Sequence, residues 1–168
     1  MQTAEAARLF DYVYWMRDRI LAATSNLTPE QFRSSETVAT RDLRATLVHE
    51  LDVESSWRER LSNAPEAGAA SVELAPDDFA SLEALEARWR QEESVMRAWL
   101  SSLSDDTLAA PPVGQPPDLP RPLPLSDYLT HLVGHAVEEF TEAALLLTRL
   151  GHSPDGIEFL KYANRPGS

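Results

Sequence analysis

Apolar residues recur at helical spacing in four stretches of the chain, and the stretch over 125–151 has the broadest apolar face. When its residues are placed at about 100° per step, they form one wide apolar arc. The members of this arc are Leu125, Leu129, Leu132, Val133, Ala136, Phe140, Ala143, Leu147 and Leu150. Ser126 can cap the start of a helix here, and Arg149 followed by Gly151 is typical of a helix end. The pattern predicts a helix whose apolar arc faces a core.

Three more stretches have the same periodicity and predict long helices over about 3–23, 40–62 and 81–103. Thr40 is the expected cap of the second of these helices. Thr28 and Gln31 form a capping box that predicts a short helical turn over 28–32, and residues 104–108 repeat that logic. The helix over 81–103 carries an a/d heptad that only Glu92 breaks. The apolar positions of the heptad are Leu82, Leu85, Trp89, Met96, Trp99 and Leu103.

The segments between the predicted helices are rich in residues that interrupt helices. Residues 63–80 are rich in Ala, Gly, Pro and Asp and predict a long, partly mobile loop. Residues 111–124 contain seven prolines and predict an extended connector. Beyond residue 151 we expect one short helical turn near 157–162 and then a frayed end. With no alternating strand pattern, the predicted fold is all-α, an antiparallel four-helix bundle in a single domain over 1–168.

Charge and composition narrow the classes of partner and cofactor. The chain has 27 acidic and 15 basic residues, and its formal net charge of −12 disfavours a phosphate backbone or an anionic membrane surface. No apolar run reaches the roughly 18 residues of a membrane span, and the first residues lack the basic and apolar regions of a signal peptide. We therefore expect a cytoplasmic protein that binds neither nucleic acid nor membrane. Because there is no cysteine, any metal must be held by imidazole and carboxylate groups.

Three ionisable residues lie on one strip of the helix over 125–150. His131, His135 and Glu139 recur every four residues. Glu139 falls inside the apolar arc, His135 falls on its border, and His131 points further out. A carboxylate that faces a core must be paired, protonated or bound to a metal, because a lone buried charge costs several kcal/mol. On the second helix His49 lies at the border of the apolar stripe, and Trp57, two turns further on, is placed to line a pocket.

Each of these residues also has a purely structural explanation. His49 can be a packed histidine whose ring nitrogens are satisfied. His135 and Glu139 can form a partly buried ion pair. His131 lies further from the core, and we expect it to support a ligand or to substitute for a missing one.

Four segments resemble the DinB/YfiT-like superfamily of small helical-bundle proteins. They read LFDYVYWMRDRIL, LRATLVHELDVESSWRERL, LPLSDYLTHLVGH and RLGHSPDGIEFLKY. The resemblance implies a divalent metal held by one histidine of the second helix and a His-x-x-x-His pair of the fourth. The matching residues here are His49, His135 and Glu139, and Phe140 replaces the arginine that often follows the third ligand. The implied ligand set is therefore two histidines and one carboxylate, which suits zinc, nickel or non-haem iron.

The resemblance also implies a function. In several members of the superfamily the metal activates a low-molecular-weight thiol, such as mycothiol or bacillithiol, for transfer or isomerisation. The first hypothesis is therefore a metal-dependent enzyme that acts on a small molecule and keeps one coordination position open. The second is a metal-free small-molecule-binding or stress-response protein that has lost the chemistry. The third is a structural or partner-binding homodimer that uses exposed helix faces.

We predict that the protein is a homodimer. The helices carry more apolar surface than four mutually packed stripes need, and proteins of this superfamily often pair through helix faces. Light scattering should give a mass about twice the 18.7 kDa of one chain. A mass near 18.7 kDa that does not change with concentration would contradict the prediction.

Overall fold

The computed structural model describes residues 1–62, 72–116 and 120–165, and four long helices account for most of them. These are α1 Thr3–Thr24, α3 Leu43–Ser62, α4 Leu82–Ser102 and α6 Leu125–Arg149. The short helices are α2 Pro29–Phe32, α5 Asp105–Ala109 and α7 Phe159–Ala163, and a 3-10 turn spans Pro76–Asp78. No strand occurs within the described ranges. The prediction of an all-α fold is confirmed, while the parts of the predicted loop and connector at 63–71 and 117–119 lie outside the described residues.

The four long helices pack as a bundle around one apolar core. α3 contacts α4 and α6, and α1 contacts the same two helices. The largest side chains in the core, which are almost completely buried, include Met16, Ile20, Leu47, Trp89, Met96 and Phe140. None of the helices in the described ranges is both long and apolar enough to span a lipid bilayer.

The contacts between α3 and α6 show that these two helices run in opposite directions. His49 of α3 lies beside Glu139, whereas Trp57, two turns later, lies beside His131. Residue numbers therefore rise along α3 as they fall along α6. This pair has the antiparallel arrangement that the sequence predicts.

The contacts between α3 and α4 show the opposite order. Glu54 accepts a hydrogen bond from the Trp89 indole, and Arg58 pairs with Glu92, so residue numbers rise together along both helices. α3 and α4 are therefore parallel, and a wholly antiparallel bundle is not what the structure shows. Asp77, which shortly precedes α4, pairs with Arg44 near the start of α3. The two helices therefore begin at the same end of the bundle, as parallel helices must.

The ends of the helices follow their local sequence, with two corrections. The Thr28–Gln31 capping box is present, and Gly151, at φ 81°, ends α6 as predicted. Asp42, rather than Thr40, caps α3, because its carboxylate accepts a backbone N–H of the first turn at 2.8 Å. The proposed Ser126 cap is also wrong. Ser126 already lies inside α6, which begins at Leu125 after an extended proline residue.

The last described residues are packed rather than frayed. Tyr162 of α7 is buried, and its ring contacts the rings of Tyr12 and Trp15 on α1. Phe159 meets the Tyr12 ring edge-on at 5.1 Å between centroids. The aromatic contacts hold α7 against α1, so the expected frayed end is wrong up to residue 165.

The heptad of α4 lies in the core of its own bundle. Leu85, Trp89 and Met96 are almost completely buried, and Trp99 is packed against the core. Glu92, which breaks the heptad, is only 1% exposed and is paired with an arginine of α3. The heptad residues of α4 are therefore packed inside the chain's own core. A homodimer, as predicted, would have to form through another surface.

A buried carboxylate joins α3 to two other helices. Glu54 is 3% exposed and accepts hydrogen bonds from the Tyr14 hydroxyl at 2.7 Å and the Trp89 indole N–H at 3.4 Å. Burial raises the pKa of Glu54 to about 7, and the nearby Glu92 charge acts in the same direction. The group therefore binds a proton more tightly in the folded protein than in the unfolded chain.

This difference predicts how stability depends on pH. The Glu54 contribution should be complete below its ordinary pKa of 4.5 and should be lost as pH rises through about 7. Between these values wild type should lose about 1 kcal/mol of unfolding free energy per pH unit relative to Glu54→Gln. Urea denaturation from pH 4.5 to 8 measures the difference, with Glu59→Gln on the same helix as the control. Parallel curves for wild type and Glu54→Gln would show that Glu54 does not titrate in this range.

Candidate metal centre

α3 and α6 bring together the three residues that the sequence singled out. The Nε2 atoms of His49 and His135 each lie 3.8 Å from Oε1 of Glu139. One potential ligand atom from each residue lies within 4.8 Å of the other two. Around a tetrahedral ion with bonds of about 2.1 Å, ligand atoms are about 3.4 Å apart. The three side chains are therefore near the separation that a metal requires, while their role as ligands stays a prediction.

The packing of α6 explains why Glu139 faces inward. Ala136, Phe140 and Ala143 are almost completely buried on the same face, so the helix cannot turn Glu139 towards solvent without exposing them. Glu139 itself is 8% exposed. His49 comes from the border of the α3 stripe, and its side chain is 32% exposed. The group is thus buried on the Glu139 side and open to solvent on the His49 side.

The two oxygens of Glu139 have different surroundings. Oε1 lies 3.3 Å from the guanidinium of Arg41 and faces both imidazoles. Oε2 is buried and has no hydrogen-bond partner among the described residues. Burial raises the pKa of Glu139, although Arg41 and His135 oppose the shift. A carboxylate in this position is incompletely satisfied, and a cation bound beside it would supply the missing interaction.

The surroundings of both imidazoles favour the neutral form. Burial lowers the pKa of His49, and the nearby Arg41 charge lowers it further. Burial also lowers the pKa of His135, against the opposing effect of Glu139. A neutral imidazole offers a lone pair to a metal, whereas an imidazolium cannot. Two neutral histidines beside one carboxylate are a donor set that fits a divalent ion.

Glu50 is a site residue that the sequence analysis missed. Its Oε2 lies 2.6 Å from Nδ1 of His135, and the residue is 3% exposed. Burial raises the pKa of Glu50 well above its usual range, and the charges of Glu54 and Glu139 add to the shift. We assign the Nδ1–H of His135 as the donor, which leaves Nε2 unprotonated beside Glu139. A carboxylate on the far nitrogen is the usual partner of a metal-binding histidine.

A sequence signal for Glu50 exists. At about 100° per residue, Glu50 and Glu54 fall within about 20° of the direction of Leu43 on the apolar arc of α3. This is the criterion that singled out Glu139 on α6. No comparable signal marks Arg41, because it precedes α3 and its position depends on how the preceding loop folds.

A comparison of the sequence with known protein families shows which family the chain belongs to. The sequence model of the DinB family matches residues 1–166. The chain belongs to the DinB family. No curated protein sequence matches it. Family membership supports the resemblance on which the three ligand positions were based, and it does not by itself specify an activity.

In this DinB protein an aromatic wall, formed by the rings of His131, Trp57 and Tyr128, begins beside His135. The exposed His131 ring is 6.4 Å from the His135 ring and meets the Trp57 ring edge-on at 5.8 Å. Trp57 also lies 5.8 Å from the ring of Tyr128, which is buried. His131 is not one of the three converging groups, and its contact is with the neighbouring rings. Trp57 contacts His131 rather than any of the three groups, and its pocket-lining role stays a prediction.

The hydrogen bond from Glu50 can be tested through the tautomer of His135. In wild type, ¹⁵N NMR should show His135 protonated at Nδ1. Glu50→Gln should keep that tautomer because its amide oxygen still accepts the Nδ1–H, whereas Glu50→Leu should lose it. Zinc affinity should fall roughly tenfold or more in Glu50→Leu and much less in Glu50→Gln. Protonation at Nε2 in wild type would show instead that a neutral Glu50 donates the hydrogen bond.

Proposed function

We propose that this DinB-family protein binds one divalent metal ion through His49, His135 and Glu139 and is a metal-dependent enzyme. Its substrate would be a small molecule, with a low-molecular-weight thiol as the nucleophile or co-substrate. The observation that carries this proposal is the convergence of the three ligand atoms within 4.8 Å, with one buried Glu139 oxygen lacking a partner. Zinc, nickel and iron all accept two imidazoles and one carboxylate.

The surrounding residues support this chemistry in distinct ways. A metal bound here would lower the pKa of a thiol or water at its open position and so provide a nucleophile at neutral pH. Glu50 fixes the orientation of the His135 ring through Nδ1. Glu139 contributes a negative charge where the superfamily usually has a third imidazole, so we expect weaker activation of the nucleophile. Trp57 and His131 offer an aromatic wall on which a substrate can pack.

One observation favours a second candidate, a metal-free small-molecule-binding protein. The guanidinium of Arg41 lies 3.3 Å from Oε1 of Glu139 and already offsets part of its charge. In this alternative, Glu139 is a buried member of a polar network with Arg41 and His135. Such groups can often be replaced by apolar residues without loss of stability.

Two variants of Glu139 separate these functions. Glu139→His should restore a set of three imidazoles and keep or increase zinc affinity. Glu139→Leu leaves two ligands and should bind zinc roughly tenfold or more weakly. Isothermal titration of protein purified without a polyhistidine tag measures both, and Glu138→Gln, one position away on the exposed face, is the control.

The same variants can also contradict the proposal that the protein binds a metal. If wild type and Glu139→His do not bind zinc, nickel or iron, the metal-dependent enzyme is wrong. A Glu139→Leu variant that is then equally or more stable to urea would identify Glu139 as a buried structural carboxylate, which is the metal-free alternative.

A further inference from the structure

A cavity of about 290 Å³ lies between α1 and α6. On α6 it is lined by Val137, Thr141 and Ala144, which recur at spacings of four and three residues and therefore share one face of the helix. At about 100° per residue, this face is roughly opposite to Glu139. The cavity is thus separate from the candidate metal centre.

The residues that follow α6 form another wall of the cavity. Tyr12 lines it from α1, and the segment 153–158 lines it from the end of the chain. Two contacts hold this segment against α1. Arg19 pairs with Asp155 at 2.9 Å, and the Tyr12 hydroxyl donates a hydrogen bond to the Ile157 carbonyl at 2.8 Å. Walls fixed in this way make a largely pre-formed cavity, which is typical of small-molecule sites.

The lining of the cavity is mostly apolar, and its charged members are acidic. The apolar members are Tyr12, Met16, Val137, Ala144, Pro154 and Ile157. Asp155 and Glu158 supply the charges, and no basic residue of the described ranges is part of the lining. Arg19 offsets the charge of Asp155, so Glu158 is the carboxylate that remains for a ligand.

The carboxylate of Glu158 lies beside the cavity without a structural role. Glu158 directly precedes α7, but its side chain does not cap that helix. It folds back over Gly156 instead, where a Cβ atom would overlap Oε2 of Glu158. Burial raises the pKa of Tyr12, and the nearby Glu158 charge adds to the shift. The glycine therefore provides the space in which a charged group lies against the lining.

The neighbouring basic residues do not pair with Glu158. Arg19 is in its own ion pair, and Arg8 and Arg165 lie over aromatic rings of α7. Lys161 shares only a backbone hydrogen bond with Glu158. Among the described residues Glu158 is thus without a cationic partner, and a positively charged group in the cavity would supply one.

We propose that this cavity binds a small primary amine with an apolar body, and that Glu158 binds the ammonium group. An apolar cavity of about 150 Å³ can hold benzene, so one of about 290 Å³ has room for a ring with a short amine chain. This inference goes beyond the proposed function and requires no metal.

The test compares 2-phenylethylamine with 2-phenylethanol, which have the same ring and chain and differ in the charged group. Their affinities for metal-free protein are measured at neutral pH by isothermal titration in wild type, Glu158→Gln, Gly156→Ala and Ala144→Leu. Glu138→Gln is the control, because it removes an exposed carboxylate of α6 that does not line the cavity.

Wild type should bind 2-phenylethylamine with a Kd of about 1 mM or tighter. It should prefer the amine over the alcohol roughly fivefold, the upper range for an exposed ion pair. Glu158→Gln should abolish this preference. Gly156→Ala should reduce it, because the new Cβ displaces a flexible carboxylate at little cost to folding. Ala144→Leu partly fills the cavity and should weaken the binding of both probes, whereas Glu138→Gln should behave as wild type.

Three results would overturn this inference. They are a wild type that binds neither probe, a wild type that binds both equally, and an Ala144→Leu variant that binds the amine as wild type does. If Ala144→Leu does not fold, the exposed Glu158 still decides the matter. An amine preference that is unchanged in Glu158→Gln would show that the ammonium group binds elsewhere.

Discussion

Among the described residues, four glutamates lie in the core of this bundle, and each needs a partner because burying a lone charge costs several kcal/mol. They are Glu50, Glu54, Glu92 and Glu139, all less than 10% exposed. Glu54 accepts hydrogen bonds from α1 and α4, Glu92 pairs with an arginine of α3, and Glu50 contacts a histidine of α6. The register of α3 against its three neighbours is therefore set by polar pairs as well as by apolar packing.

Glu139 differs from the other three in how completely it is satisfied. The protein surrounds Oε1 with Arg41 and two imidazoles, yet gives Oε2 no hydrogen-bond partner within the described residues. A purely structural carboxylate would be expected to acquire better partners, as Glu54 and Glu92 have done. This contrast with the other three carboxylates adds to the convergence of the ligand atoms as a reason to treat the Glu139 group as a functional site.

The sequence predicted the helices well because hydrophobic periodicity reports directly which face of a helix is buried. It could not give the relative direction of α3 and α4, since periodicity is the same for parallel and antiparallel neighbours. Within the site, border positions and family resemblance together identified His49, His135 and Glu139. The sequence analysis missed Glu50, although the periodicity of α3 places it on the buried face. No sequence pattern marks Arg41, because its position depends on how the loop before α3 packs.

The candidate site is assembled from distant parts of the chain, which has a consequence for folding. Glu50 and His135 are 85 positions apart, so their contact requires α6 to dock onto α3 after a long loop has closed. Contacts of this kind slow folding and depend on the whole topology. An ion that bound only the docked arrangement would draw α6 onto the rest of the bundle and stabilise the native state by mass action. Ion binding at this site would then stabilise only the fully assembled bundle, with α6 docked.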